Sequence, residues 1–362
     1  MTREQRKLDH IKYALALGDS KVTTGLEDIS FVPDCLTNVN PDQVRMETRV
    51  AGVALSKPLF IDAITGGAEA VTAINKKLAQ VAAQTGLAMA VGSQFGTVRH
   101  KLAPESYTVI REVNPDGVVF ANVSALASPE EVKAAVDMLG AAAVEIHLNV
   151  AQELLMPEGD RNFALLPANL QRLQDKVTVP VIIKETGCGM SAEALQKLID
   201  LGFNCFNLAG AGGTSFPAIE AARSGNKRQG RLAVWGLPTA WSLLDAAAVC
   251  QRGETIIASG GLRDGYDVAK ALALGADAAA MAGNILRQVV DGSPEEAAAY
   301  LEEVLADLRD IMVLTGAGTI EDLHRVPLVY QGPVWDFLRS RGYVPKSGLR
   351  RAQGQAAGFV PR

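Results

Sequence analysis

Residues 255–284 read TIIASGGLRDGYDVAKALALGADAAAMAGN, and they hold one full repeat of the chain's architecture. The run 255–259 (TIIAS) is short, apolar and bounded by glycine, as a buried strand should be. Gly260 and Gly261 then mark a tight loop. Residues 266–274 place Val268, Ala271 and Leu272 three or four apart, which predicts a helix that Gly275 stops. Residues 277–282 (DAAAMA) open a second strand. Strand, helix and strand in this order form a parallel unit.

The same unit recurs upstream. Six more runs read as strands: 59–64 (LFIDAI), 87–92 (LAMAVG), 117–123 (GVVFANV), 143–149 (AVEIHLN), 179–185 (VPVIIKE) and 205–209 (CFNLA). Helical patterns separate them. Residues 72–85 carry Ile74, Leu78 and Val81 on one face, and residues 191–201 open with Ser191 as an N-cap. Eight strands in βα alternation are what an α/β fold of the (β/α)8 TIM-barrel type requires. A doubly wound sheet is the alternative, but eight units with no second domain favour closure. The widest interval, from 205 to 255, implies an insertion between strands six and seven. The expected organisation is one barrel over 46–319, flanked by arms at 1–45 and 320–362.

Composition bounds the function. The chain has 362 residues, 48% of them hydrophobic, enough for a full core without disulfides. The net charge of −5 argues against a nucleic-acid partner. No apolar run reaches the length of a membrane span, and the first ten residues, MTREQRKLDH, lack the apolar stretch of a secretory signal. The four cysteines lie far apart and match no zinc spacing, which fits buried thiols in a reducing cytoplasm. The stretch 337–362 holds arginine and lysine but no acidic residue, and reads as a solvated tail.

In a barrel the active site lies at the C-terminal ends of the strands. Here those ends carry Thr65-Gly66-Gly67, Ser93-Gln94, Asn122, His147-Leu148-Asn149 running into Gln152-Glu153, Lys184-Glu185, Gly212-Gly213-Thr214, Ser259-Gly260-Gly261 with Arg263, and Ala282-Gly283. The loops after strands seven and eight often cradle a phosphate, and the glycines there allow close backbone approach. Lys184 closes an apolar strand, so it needs an anionic partner or a depressed pKa. Schiff-base chemistry, pairing with a cofactor and a salt bridge to Glu185 all satisfy that need. His147 is either a satisfied core histidine or a site residue. Glu153 suits Mg2+, or simply complements a helix dipole. Arg6, Lys7 and His10 share one face of a helix, as a patch for a diphosphate or as a solvated charged face.

Taken together, Arg6-Lys7-x-x-His10, Ile64-Thr65-Gly66-Gly67, Gly92-Ser93-Gln94, His147-Leu148-Asn149-x-x-Gln152-Glu153, Pro157-Glu158-Gly159-Asp160-Arg161, Trp235-Gly236-x-Pro238-Thr239 and Ser259-Gly260-Gly261-x-Arg263 resemble the flavin-dependent, type 2 isopentenyl diphosphate isomerases. The glycine motifs recur in other FMN barrels. The first motif and the Asn-x-x-Gln-Glu segment are the specific ones. The resemblance implies FMN and Mg2+ as cofactors, NADPH as reductant, a small diphosphate as substrate, a cytoplasmic location and a homo-oligomer. It implies flavin contacts from Ala63, Ile64, Thr65, Ser93, Asn122, Lys184 and Thr214, and a phosphate cradle from Gly261, Arg263, Ala282 and Gly283. Substrate contacts fall to Arg6, Lys7, Ser93, Gln94, His147, Asn149 and Gln152, the metal to Glu153, and catalysis to Gln152 and His147. One departure is Phe95, where many members carry arginine; Arg99 or Lys101 are the available substitutes. An FMN-dependent 2-hydroxy acid oxidase needs a histidine base near the end of strand seven. The segment SGGLRDG has none.

Overall fold

The computed structural model describes residues 3–226, 229–250 and 253–343. Eight parallel strands close into a barrel: β1 (Leu59–Ile61), β2 (Ala88–Ala90), β3 (Val119–Ser124), β4 (Ala143–Leu148), β5 (Val181–Glu185), β6 (Cys205–Asn207), β7 (Thr255–Ser259) and β8 (Ala278–Met281). Each pairs with its sequence neighbours, and β8 returns to β1 with Ala279 opposite Leu59. All eight runs expected from sequence are strands; 255–259 matches in full and the others differ by a few residues at their ends. The expected helices form as Thr72–Thr85, Ala192–Asp200 and Gly265–Ala273, and the Ser191 hydroxyl caps the second. The long interval between β6 and β7 holds helices Phe216–Ser224 and Thr239–Val249.

Strand alternation explains the interior. Phe60, Phe120, Ile182 and Ile257, from β1, β3, β5 and β7, fill one level, all essentially without exposure. The even strands offer small residues at that level: Ala88, Ala143, Cys205 and Ala278. Large residues on alternate strands and small ones between them pack a barrel without voids. The hairpin of Thr48–Val50 and Val53–Leu55 closes the N-terminal end by adding Val50 and Leu55 to this cluster. Two residues further along six of the strands the inward positions turn polar, as Asp62, Asn122, Glu145, Lys184, Asn207 and Ser259, while Ala90 on β2 and Ala280 on β8 stay apolar. The chain thus passes from an apolar plug to a polar floor in one step of the pleat.

The arms are tied down. The helix Arg3–Leu17 lies against Phe216–Ser224. Strand Ile29–Phe31 pairs antiparallel with Leu328–Tyr330, joining the two arms. Arg341 and Tyr343 both bind Asp245, through Nε at 3.1 Å and the hydroxyl at 2.9 Å. The basic stretch is therefore docked as far as Tyr343, because a buried carboxylate waits for it; residues 344–362 lie outside the described residues. Among the described residues no helix is long and apolar enough to cross a membrane.

Phe120 meets Phe60 edge-on at 5.5 Å, with no exposure of either ring. Phe120→Ala is expected to cost about 3–5 kcal/mol of stability, measured by chemical denaturation; a loss under 1 kcal/mol would contradict this account of the plug.

Candidate active site

A cavity of about 600 Å³ opens over the polar floor at the C-terminal ends of the strands. That is the size and place expected of a ligand site in this fold. Every strand end lines it: Asp62 to Thr65 after β1, Ser93 after β2, Asn122 on β3, His147 with Asn149, Gln152 and Glu153 after β4, Lys184 on β5, Gly213 and Thr214 after β6, Ser259 to Leu262 after β7, and Ala282 and Gly283 after β8. The helix Arg3–Leu17 completes the wall with Arg6, Lys7 and His10. Spacing of three and four residues puts these three on one helical face, as expected.

Two expected residues are not brought to the cavity. Gln94 is fully buried, donates to the Ala135 carbonyl at 2.9 Å and accepts from the Asn122 backbone N–H at 3.0 Å. Its neighbour Ser93 takes the inward position, which turns Gln94 outward to brace β3. Arg263 lies half exposed, donating to the Gly261 carbonyl at 3.2 Å beside Asp267. Asp267, one helical turn on, draws the guanidinium out of the loop. Of the candidates for the missing arginine, Arg99 lines the cavity and Lys101 does not. Arg99 stacks on the Phe95 ring at 4.1 Å and binds Glu131 through two nitrogens at 2.6 and 2.9 Å.

The polar floor is one hydrogen-bonded network. Lys184 Nζ donates to Asp62 Oδ2 at 2.8 Å. Asn207 Nδ2 donates to Asp62 Oδ1 at 3.1 Å and to Glu145 Oε1 at 3.0 Å, while its carbonyl accepts from Ser259 at 2.6 Å. Asn122 Nδ2 donates to Glu145 Oε2 at 2.9 Å, and its carbonyl faces His147 Nδ1 at 2.8 Å. Burial would lower the lysine pKa, but Asp62 and Glu145 outweigh it and hold the ammonium above its ordinary range. Lys184 is thus a charged residue whose partner is Asp62, rather than Glu185, and it is no amine nucleophile. Glu185 instead accepts four backbone N–H groups, from Thr186 to Gly189. Burial and the nearby Asp62 push the Glu145 carboxyl up to about 7 against the pull of Lys184 and the two amides. Burial, then Lys184 and Lys7, push His147 down to about 4, so its ring is neutral.

A second cluster joins the N-terminal helix to the strand ends. Glu220, fully buried on Phe216–Ser224, faces His10 Nε2 at 2.8 Å, accepts from Gln152 Nε2 at 3.2 Å and pairs with Arg223. Burial would raise its pKa, but these partners outweigh it and hold it below the carboxylate range. With its amide N–H2 committed to Glu220, Gln152 keeps its carbonyl oxygen for the cavity. Lys7 donates to the carbonyls of Gly66 and Ser93, and Arg6 Nη1 donates to a weak acceptor, the Met156 thioether at 3.7 Å, with its charge also felt by Glu158. Glu153 accepts from Asn149 at 2.9 Å and from the Asp160 N–H at 2.8 Å. Among the described residues no group of three or more His, Cys, Asp or Glu is arranged to hold a metal.

Comparison with known proteins fits this geometry. Residues 122–329 match the FMN-dependent dehydrogenase family. Over 349 residues the chain is 44% identical to an isopentenyl-diphosphate delta-isomerase of Symbiobacterium thermophilum, covering 94% of this chain and 96% of that one. The chain belongs to the isopentenyl-diphosphate delta-isomerase family. A second member, from Bacillus licheniformis, is 42% identical over 95% of this chain and 98% of its own. Among solved structures, a lactate oxidase of Pediococcus acidilactici superimposes with a TM-score of 0.68 at 18% identity, over 91% of this chain and 93% of that one. That likeness reflects the shared barrel.

The residues after β7 and β8 fit an FMN phosphate. The helix Gly283–Asp291 opens after Ala282 with no side-chain cap, so its first N–H groups face the cavity unclaimed by a side chain. Gly213 and Gly261 pass so closely that a Cβ on either would lie 2.5 Å from the other loop's backbone. Gly261 also has φ +76°, a conformation that side chains disfavour. Gly261→Ala is therefore expected to yield a folded protein that loses FMN on purification. Absorption and circular dichroism spectra check this, and full flavin retention would contradict the assignment of the cradle.

Proposed function

We propose that the protein interconverts isopentenyl and dimethylallyl diphosphate by a 1,3-proton shift, with FMN in its reduced form. The observation that carries this reading is one cavity with two anion-receiving ends. The glycine cradle at Gly261 and Gly283 suits the flavin phosphate, and Arg6 and Lys7 of the N-terminal helix, which line the same cavity, suit a diphosphate. Of the residues lining the cavity, Asn122, Lys184, Ala63 to Thr65, Ser93 and Thr214 would hold the isoalloxazine ring of a bound flavin.

The reaction adds a proton at C4 and removes one at C2, with a cation-like centre between. Reduced FMN supplies an electron-rich ring that stabilises that charge and a nitrogen, N5, of acid–base character. NADPH is the proposed reductant. The chain's residues orient and bind. Arg6 and Lys7 anchor the diphosphate, which fixes the short hydrocarbon over the ring position. Asn149 holds Glu153 by a hydrogen bond at 2.9 Å. A single carboxylate suits Mg2+, which keeps most of its waters and bridges to substrate phosphates. Gln152 offers its carbonyl oxygen toward C2. His147 faces the diphosphate. The buried thiols Cys188, Cys205 and Cys250 fit a cytoplasmic setting.

Incubation with isopentenyl diphosphate, Mg2+ and chemically reduced flavin should give the dimethylallyl isomer, followed by product chromatography; no turnover under these conditions would refute the reading. Glu153→Gln is expected to weaken the Mg2+ requirement's midpoint by roughly 10–100-fold with the flavin spectrum unchanged. Arg6→Ala removes a charge-assisted contact of about 1.5–3 kcal/mol, so KM should rise roughly 10–100-fold while kcat moves far less. A loss confined to kcat would assign Arg6 a different role.

A further inference from the structure

His147 reaches the cavity with its Nε2 side, because Nδ1 is held 2.8 Å from the Asn122 carbonyl oxygen. An oxygen acceptor at that distance puts the ring proton on Nδ1. A neutral ring protonated there offers a lone pair at Nε2, which repels an anionic oxygen. The amide is oriented this way because its other end donates to Glu145 Oε2 at 2.9 Å. The polarity of the chain thus starts at Glu145, a fully buried carboxylate that does not line the cavity.

A proton on Glu145 reverses that polarity. It has to sit on Oε2, because Oε1 accepts from Asn207, and Asn207 is fixed by Asp62 and Ser259. The Oε2 hydroxyl then meets an N–H donor, and the amide of Asn122 relieves the clash by turning over. Its carbonyl accepts from Glu145 and its N–H2 donates to His147 Nδ1. The ring proton moves to Nε2, where it becomes a donor toward the cavity. The charged groups facing Glu145 are Asp62 from β1 and Lys184 from β5, while β3 and β6 present the amides Asn122 and Asn207. With two carboxylates and one ammonium on the floor, protonating Glu145 leaves the Lys184–Asp62 pair intact.

We propose that Glu145 sets the tautomer of His147 through the Asn122 amide, and that an organic diphosphate binding against His147 drives the uptake of one proton at Glu145. One proton passes from solvent to Glu145 Oε2. The imidazole gives its Nδ1 proton to water and gains one at Nε2, with no net change. Glu145 is a positioning residue, and this role rests on the reading of the cavity as a diphosphate site. Above the range where Glu145 titrates, near 7, diphosphate affinity falls tenfold per pH unit as the proton becomes harder to supply.

The test is calorimetric titration of the FMN-loaded, oxidised protein with isopentenyl diphosphate and Mg2+. It is run near pH ~8 in two buffers of different ionisation enthalpy. About one proton should be taken up by the native protein and close to none by Glu145→Gln, whose amide mimics the protonated carboxyl. The affinity of that variant should also stay flat with pH. Equal uptake in both proteins, or tight binding to the native protein with no uptake, overturns the proposal. Failure of the native protein to bind the diphosphate refutes the functional reading, and the proposal with it. A spectroscopic measurement on the native chain stands if the variant does not fold. With four histidines in the sequence, nitrogen NMR resolves whether His147 Nε2 gains its proton on diphosphate binding. An Nε2 that stays unprotonated in the complex overturns the proposal.

Discussion

The ion pair of Lys184 with Asp62 spans the barrel from β5 to β1, and much else depends on it. Both side chains are almost wholly buried, so neither charge is tolerable alone. Removing one partner of such a pair costs about 3–5 kcal/mol, because the other stays behind uncompensated. The pair therefore fixes where polar chemistry can begin. Below it the phenylalanine and isoleucine level excludes water, and above it the cavity opens. Asn207 bridges Asp62 to Glu145, and Asn122 carries the same network to His147. The floor works as a unit in which each amide has both ends committed.

Much of this was legible in the sequence, for definite reasons. Barrel strands are short apolar runs closed by glycine or polar residues, and periodicity finds such runs. TIIAS over 255–259 coincides with β7 to the residue, and 72–85 with its helix. The strand ends were read as the site because the fold puts ligands there, and almost all of the residues read off them line one cavity. Gln94 and Arg263 escaped that logic. Sequence shows that a residue follows a strand, whereas the direction of its side chain depends on partners, here Ala135 and Asp267, that only the tertiary structure supplies.

The residues that went unread have a common character. Asp62 and Glu145 were visible as lone carboxylates within LFIDAI and AVEIHLN, and an acid inside an apolar strand is a signal in its own right. Nothing local marks them as neighbours, since they meet only when β1 and β4 curve round a common axis. Glu220 is harder still. It sits on a helix of the long insertion and looks like one more acidic surface residue. Its meaning comes from His10 and Gln152, both remote in sequence. Through Glu220 the insertion holds the N-terminal helix against the β4 loop, so a segment that the barrel's topology does not require becomes a part of the site wall.

The pairing of Ile29–Phe31 with Leu328–Tyr330 has a consequence for the order of assembly. A ribosome releases the first of these strands almost three hundred residues before its partner, and β1 likewise waits for β8. Every intermediate βα unit can lie down on its predecessor as it emerges, but the ring and the arm-to-arm sheet close only near the end of synthesis. Until then the nascent chain exposes a parallel sheet edge on each side, the type of surface that invites association with other chains. Protein made slowly, or paused upstream of Leu328, should therefore draw on chaperones far more than its finished stability suggests.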